Sequence, residues 1–511
     1  MMENMDGFCA VMRKVFYMAL VALFWGCQDA SRVFVGRETM LDKIRGGWAG
    51  QVIGCTLGGP TEFGYQGRMI PDSVSLPWYD RYCLDVFNNR PGLYDDVYMD
   101  LTFLEVMLKE GLLAPASSYA DRFARASYEL WHANQTGRWN ILNGLMPPLS
   151  GHWKHNPHAD DIDFQIESDF IGMITPGMPE MAMALSDTIG HVMNYGDGWY
   201  GGVFTSAMYT KAYFSSDIPE IVSSALKSLP RESLYYQAIE DVLNFWKANP
   251  QDWKACWQMA QERHNDDLGC PDGMLADFNI DARINGVYTV IGLLYGNGDF
   301  ERTMEIATRC GQDSDCNPAT AAGVLGVVMG YDALPEKFTR GVELCKDVVF
   351  PYTSLTLGGV NDSTLRLMEE AILSGGGRIL EDGYEIVLQD YAPARMEKSF
   401  EGLIQGERIS INKTVTDEFE MDFSGNGYVL SGSINRDSSA TTSDYVARVR
   451  VQVDGQKAET FDMPFDFITR KNEVSFAYDL GEGTHHLKLS ILNPDPGYYL
   501  SLGGMVTYRS K

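Results

Sequence analysis

The chain has 511 residues, 45% of them hydrophobic, with 41 Lys+Arg against 69 Asp+Glu and a formal net charge of −28. That length suits about two to four globular domains, and the hydrophobic content is ordinary for a folded protein. The acidic balance argues against a nucleic-acid partner, which needs a basic footprint, and it repels an anionic substrate unless a cation or local basic groups compensate.

Met12-Arg13-Lys14 opens a short basic stretch, and Val15 to Trp25 is then almost wholly apolar. That run has the length of a signal-peptide core and is too short to span a membrane. Gly26-Cys27 closes it, and polar Gln28-Asp29 follow. Residues 1–27 therefore read as an export signal of the bacterial lipoprotein type, with Met12 as an alternative start. The expected location is the periplasm or cell surface, and a lipid on Cys27 would be the membrane link. Without Cys9 and Cys27 seven cysteines remain, an odd number, so at least one is free if the rest pair. No CxxC spacing occurs, which removes zinc-ribbon and thioredoxin readings.

Residues 41–370 read as all-helical. Gly46, Gly50, Gly54 and Gly58 recur every fourth residue and so share one helix face. Each costs about 1 kcal/mol relative to alanine in a helix, and close approach of a neighbouring helix is the compensation. Further helices are expected at 97–110, 118–133, 178–193, 202–213, 235–247, 283–295 and 299–309, with a small-residue helix at 318–330. Gly375-Gly376-Gly377 breaks the pattern. Beyond it the period becomes two: Phe419, Met421 and Phe423 alternate with acids, Tyr445 to Val453 alternate with Val446, Arg448, Arg450 and Gln452, and Leu487, Leu489 and Ile491 repeat the rule. Residues 380–511 are thus expected to form an antiparallel β-sandwich.

Two acidic motifs stand at helix starts. Asp95-Asp96 precedes an apolar run at helical spacing, and Asp313-Ser314-Asp315 precedes the small-residue helix. Aspartate is a favoured helix cap, which explains either motif alone. Together, four carboxylates at two helix starts can meet around hard cations, which prefer oxygen ligands.

The stretch from Asp42 through Gly54-Cys55-Thr56-Leu57-Gly58-Gly59-Pro60-Thr61-Glu62-Phe63, with Asp95-Asp96-Val97-Tyr98-Met99 and Gly311-Gln312-Asp313-Ser314-Asp315-Cys316-Asn317, resembles the ADP-ribosylglycohydrolase family over roughly residues 41–350. The resemblance implies an all-α fold with a dinuclear magnesium site in a cleft. It implies Asp95, Asp96, Asp313 and Asp315 as metal ligands, for one or two Mg²⁺ ions with Mn²⁺ or Ca²⁺ as substitutes, and Glu62 as a substrate-facing carboxylate. Three positions depart from the family pattern. Tyr94 and Cys316 stand where threonines are expected, and Cys55 stands where an aspartate is usual.

A larger departure lies at Glu167-Ser168-Asp169-Phe170-Ile171-Gly172, where many relatives carry a glycine-rich loop and an arginine. Two carboxylates there disfavour a pyrophosphate-bearing substrate and suit a neutral sugar. Glu167 and Asp169 are candidates for a glycosidase acid/base pair. Asn194-Tyr195-Gly196-Asp197-Gly198-Trp199 is a candidate sugar-binding wall or, equally, a turn packed by aromatics, and His191 at a helix end before it is a further candidate for sugar contact, with a core or capping role as the favoured reading. His152, His155 and His158 recur every third residue, but Pro157 interrupts any helix and the spacing matches no usual zinc pattern, so a loop lining the cleft is the favoured reading.

The expectation is an exported, metal-dependent glycohydrolase acting on an N- or O-glycosidic bond of a small-molecule or glycan substrate. The alternatives are an ADP-ribosyl-protein hydrolase and an inactive glycan-binding surface protein.

Overall fold

The computed structural model describes residues 31–265, 268–438, 440 and 444–511. The expected export segment and Cys27 lie outside them. All α-helices of the described residues fall between Arg37 and Ser374, and antiparallel sheets follow.

The centre of the helical part is a pair. Helix α1 (Arg37–Gly58) packs along a helix α8 (Cys316–Met329), and the four glycines make this possible. A Cβ at Gly46 would fall on the Gly326 carbonyl, one at Gly50 on the Ala322 carbonyl, and one at Gly58 on the Ser314 carbonyl. The expected close approach is therefore real. It also ties the end of α1 to the second acidic motif.

Around this pair lie α2 (Asp95–Glu110), α3 (His132–Leu142), the short α4 (Asp163–Ile166) and α5 (Asp169–Ile174), α6 (Gly196–Ala212) and α7 (Ala282–Gly296). The helix expected at 118–133 is not continuous. A helix Ala116–Ala124 stops, and α3 begins at His132 after an irregular stretch. Tertiary packing overrides propensity there. The Tyr128 ring lies 4.9 Å from Tyr98 and 5.4 Å from Tyr352, Trp131 is extended, and His132 has φ +47°.

A small sheet not anticipated from the sequence joins β1 (Arg32–Gly36), β2 (Arg378–Ile379) and β3 (Gly383–Val387) in the order β1-β3-β2. The C-terminal part is the expected sandwich. One sheet, in order, is β5 (Glu418–Gly425), β10 (Gly483–Ile491), β7 (Val446–Val453) and β8 (Glu459–Pro464). The other is β4 (Leu403–Val415), β11 (Tyr498–Ser510), β6 (Gly427–Arg436) and β9 (Glu473–Ala477). Leu487 pairs with both Val453 and Met421, and Leu489 with Val451 and Phe419, so the period-two residues face one core. All seven described cysteines are buried.

The sandwich grips the helical part. Arg408 of β4 donates to the carbonyls of Pro271, Asp272 and Met274, Arg138 of α3 donates to the Ile468 carbonyl at 3.2 Å, and Glu473 of β9 reaches His158.

Candidate active site

The ends of α1 and α8 and the start of α2 converge, and with them the two acidic motifs. Carboxylate oxygens of Asp95 and Asp96 lie within 4.8 Å of the Cys316 sulfur, and those of Asp313 and Asp315 lie equally near it. Two pairs of acids more than two hundred positions apart therefore share one cluster around a single thiol. One buried oxygen each of Asp96, Asp313 and Asp315 has no hydrogen-bond partner among the described residues. Burial and then mutual repulsion hold the Asp95 carboxyl well above the usual carboxylate range. Asp315 is raised in the same way, by burial and by the charges of Glu62 and Asp313. An unpartnered, mutually repelling oxygen set is what a hard divalent cation satisfies.

The three departures from the family pattern have definite places. The Cys55 thiol donates to Asp96 Oδ2 at 2.9 Å. The Tyr94 hydroxyl turns away to Thr56, 2.7 Å distant. Cys316 sits within the acid cluster, and burial followed by the aspartate charges keeps its thiol protonated.

Above the acids is a cavity of about 560 Å³. Asp95, Asp313 and Cys316 line it with Glu62, Glu167, Asp163, His132 and Arg90, and Phe63, Tyr98, Trp131 and Phe278 give it aromatic walls. Glu62 follows the turn that ends α1, and burial with the nearby Asp313 charge pushes its carboxyl up to about 7. Glu167 is fully buried and hydrogen-bonded by the Asn134 amide, while its other oxygen is unpartnered among the described residues. Burial, then the Asp163 charge, raises its pKa well above the carboxylate norm.

Asp169 does not line the cavity. It begins α5 behind the aspartates, fully buried, and burial pushes its carboxyl up to about 7. The Glu167/Asp169 pair is thus split between the cavity and the core.

The expected sugar wall also lies elsewhere. Asn194 is consumed inside the fold: its amide donates to the Ala159 and Asp161 carbonyls and its oxygen accepts from the Phe164 N–H. Trp199 is buried with Nε1 on the Ser186 carbonyl, and His191 lies between the Asp187 carbonyl and Glu397. Tyr195 packs on His152, and Asp197 accepts from the Tyr235 N–H. The glycines of this stretch admit protein rather than ligand: a Cβ at Gly202 would strike Phe164, and one at Gly198 the Ala159 carbonyl. The histidine loop does not assemble as a trio. His158 is buried between Asp161 and Glu473, while His152 stacks near Trp153 and Tyr195.

Sequence reasoning missed His132, Asn134 and the aromatic wall. His132 sits in the interrupted 118–133 region and Asn134 just past it, where the expected helix concealed a new helix start. Trp131 touches Phe467 of the sandwich at 5.9 Å between ring centroids, a contact no local pattern reveals.

A family model for ADP-ribosylglycohydrolase matches residues 36–367. The chain belongs to the ADP-ribosylglycohydrolase family. Members of this family are hydrolases acting on glycosidic bonds, and the chain is one of them. Among solved structures it is similar to an ADP-ribosylglycohydrolase-related protein complex, at 14% identity, TM-score 0.45, over 65% of this chain and 99% of that one. It is similar also to a family GH115 4-O-methyl-α-glucuronidase with specificity for decorated arabinogalactans, at 9% identity, TM-score 0.19, over 65% of this chain and 42% of that one. No curated protein matches.

Proposed function

We propose that the cavity over Asp95, Asp96, Asp313 and Asp315 hydrolyses an N- or O-glycosidic bond of a neutral sugar with magnesium as cofactor. The observation that carries this reading is the convergence of those four carboxylates beneath a cavity that also holds Glu62 and Glu167. A bound Mg²⁺ would orient sugar hydroxyls and acidify water. Glu167 is the proton carrier, because its burial, and then the Asp163 charge, favour its protonated form and glycosidic cleavage needs an acid at the leaving group. Glu62 stabilises positive charge developing at the anomeric carbon. Tyr98, Trp131 and Phe278 offer flat apolar faces to a sugar ring.

The cavity lining carries Glu62, Asp95, Glu129, Asp163, Glu167 and Asp313 against one arginine, Arg90. That balance favours an uncharged sugar over a pyrophosphate ligand. The basic and apolar stretch from Met12 to Trp25 with Cys27 after it supports an exported, lipid-anchored enzyme.

The test is a screen of nitrophenyl glycosides, nucleosides and ADP-ribosyl conjugates, with and without chelator. Hydrolysis of an unphosphorylated glycoside that disappears in Asp313→Ala/Asp315→Ala is expected. Release of ADP-ribose from a conjugate would replace the neutral-sugar reading. Activity untouched by both the chelator and the double variant would overturn the proposal.

A further inference from the structure

Asp163 stands beside the proton carrier Glu167. It opens α4, and Glu167 follows the last residue of that helix four positions on, so the two side chains share one face. Both line the cavity, and both are tied to Asn134 of α3. The Asn134 backbone N–H donates to Asp163 Oδ1 at 2.9 Å, and the Asn134 side-chain amide donates to Glu167 Oε1. One residue thus fixes two carboxyl groups at the cavity wall.

Each of these three side chains keeps one oxygen without a hydrogen-bond partner among the described residues: Asp163 Oδ2, Glu167 Oε2 and Asn134 Oδ1. The side chains are buried, with Asp163 6% exposed, Asn134 5% and Glu167 0%. A buried acceptor left unpaired costs about 1–3 kcal/mol, and a ligand that brings donors recovers it. A wall of acceptors therefore selects hydroxyl groups and turns away carboxylates and phosphates. Burial pushes the Asp163 carboxyl up to about 6 against the pull of the His132 charge, while burial and then the Asp163 charge hold Glu167 well above the carboxylate norm. Such a separation suits Asp163 to accept and Glu167 to donate.

We propose that Asp163 is a second substrate-contacting carboxylate of this cavity, whose Oδ2 accepts a hydrogen bond from the sugar hydroxyl next to the anomeric carbon while Glu167 serves the leaving group. Positive charge develops at the anomeric carbon during cleavage, and a hydrogen bond to that hydroxyl strengthens as it does. The contact therefore favours the transition state over the bound substrate and raises kcat. It narrows the substrate to sugars that keep this hydroxyl. The inference rests on the reading of the cavity as a glycosidase site.

The experiment compares sugars with and without that hydroxyl in the wild-type chain and in Asp163→Asn. Asparagine keeps an acceptor for the Asn134 N–H and turns the other oxygen into a donor. Asp163→Ser, which also offers an acceptor there, is the second variant, and circular dichroism checks that each folds. The first arm is hydrolysis of nitrophenyl glycosides and their 2-deoxy counterparts in Mg²⁺. A hydrogen bond to a charged group is worth about 10–100-fold, so Asp163→Asn should lose about that much of the wild type's preference for the hydroxylated substrate, chiefly in kcat. A role in holding the fold alone would slow both substrates alike. The second arm needs no turnover: saturation-transfer NMR of D-ribose, D-glucose, D-galactose and their 2-deoxy forms should show the same preference more weakly. A deoxy penalty equal in the wild type and both variants, read by hydrolysis or, where nothing is hydrolysed, by binding, overturns the contact and leaves the glycosidase reading standing. The expected hydroxyl preference in binding without hydrolysis of any glycoside sinks that reading and supports the contact. Neither binding nor hydrolysis of any of these sugars overturns both.

Discussion

The Cys55 thiol donates its proton to Oδ2 of Asp96 across 2.9 Å, inside a wholly buried contact between α1 and α2. A thiol thus stands where a further carboxylate would add a fifth negative charge to the aspartate cluster, and it orients Asp96 instead. Cys55→Ala removes the donor and leaves Asp96 free to turn. A drop in Mg²⁺ affinity of about tenfold is expected, the lower end of what loss of an outer partner costs. Cys55→Ser restores a donor and should recover most of the affinity, as measured by calorimetry.

Gly58→Ala tests the coupling of fold to site. The added methyl meets the Ser314 carbonyl, between the two aspartates of the second motif. Overpacking costs about 1–3 kcal/mol, and here backbone has to yield. The expected result is a lower urea midpoint together with weaker Mg²⁺ binding. Loss of stability with unchanged cation affinity would mean that the motif shifts as a rigid unit.

Periodicity made much of the fold legible, because helix faces and sheet faces leave a local imprint. The glycines of α1 announced their partner helix through spacing alone, and Leu487, Leu489 and Ile491 announced the sandwich core. The aspartate pairs were legible because each sits at a helix start. His132 was hidden, since the Asp161 and Asp272 carboxylates that it meets lie 29 and 140 positions away in sequence. Asn194 and Trp199 misled for the opposite reason: a glycine-rich aromatic stretch serves helix packing as well as ligand binding, and only the neighbours at Phe164 and Ala159 decide.

The aspartate cluster should make the cation-free protein sensitive to alkali. Burial, then neighbouring charge, raises Asp95 and Asp315 well above 3.8, and burial raises Asp96 likewise. A carboxyl raised on folding contributes stability that is full below its unfolded pKa and lost as pH rises through the folded value. In chelator the urea midpoint should therefore fall as pH rises above the unfolded carboxylate value of about 4. Saturating Mg²⁺ should flatten the decline, because cation binding favours the ionised folded form. Asp169→Asn should raise the midpoint at pH 8 without loss of activity, since Asp169 is buried outside the cavity. Glu167→Gln should abolish activity.

The His158–Glu473 pair gives a stability window of its own. Burial opposes charge on both groups, yet pairing prevails: Glu473 and Asp161 raise His158 well above 6.5, and His158 lowers Glu473 below 4.5. The raised histidine contributes fully below about pH 6.5 and loses its effect as pH climbs through its folded value. The lowered glutamate contributes fully above about pH 4.5 and loses its effect as pH falls through its folded value. The pair is thus worth most between those limits. Glu473→Ala strands His158 and the Thr136 hydroxyl that donates to Glu473 at 2.8 Å. A loss of about 3–5 kcal/mol is expected in that window, the cost of breaking a buried ion pair. Replacing His158 and Glu473 together with leucine should cost less, because no charge is left unpaired. A double-mutant cycle by urea unfolding at pH 6 decides, and equal losses in the single and double variants would show that the contact between sandwich and helices rests on packing instead.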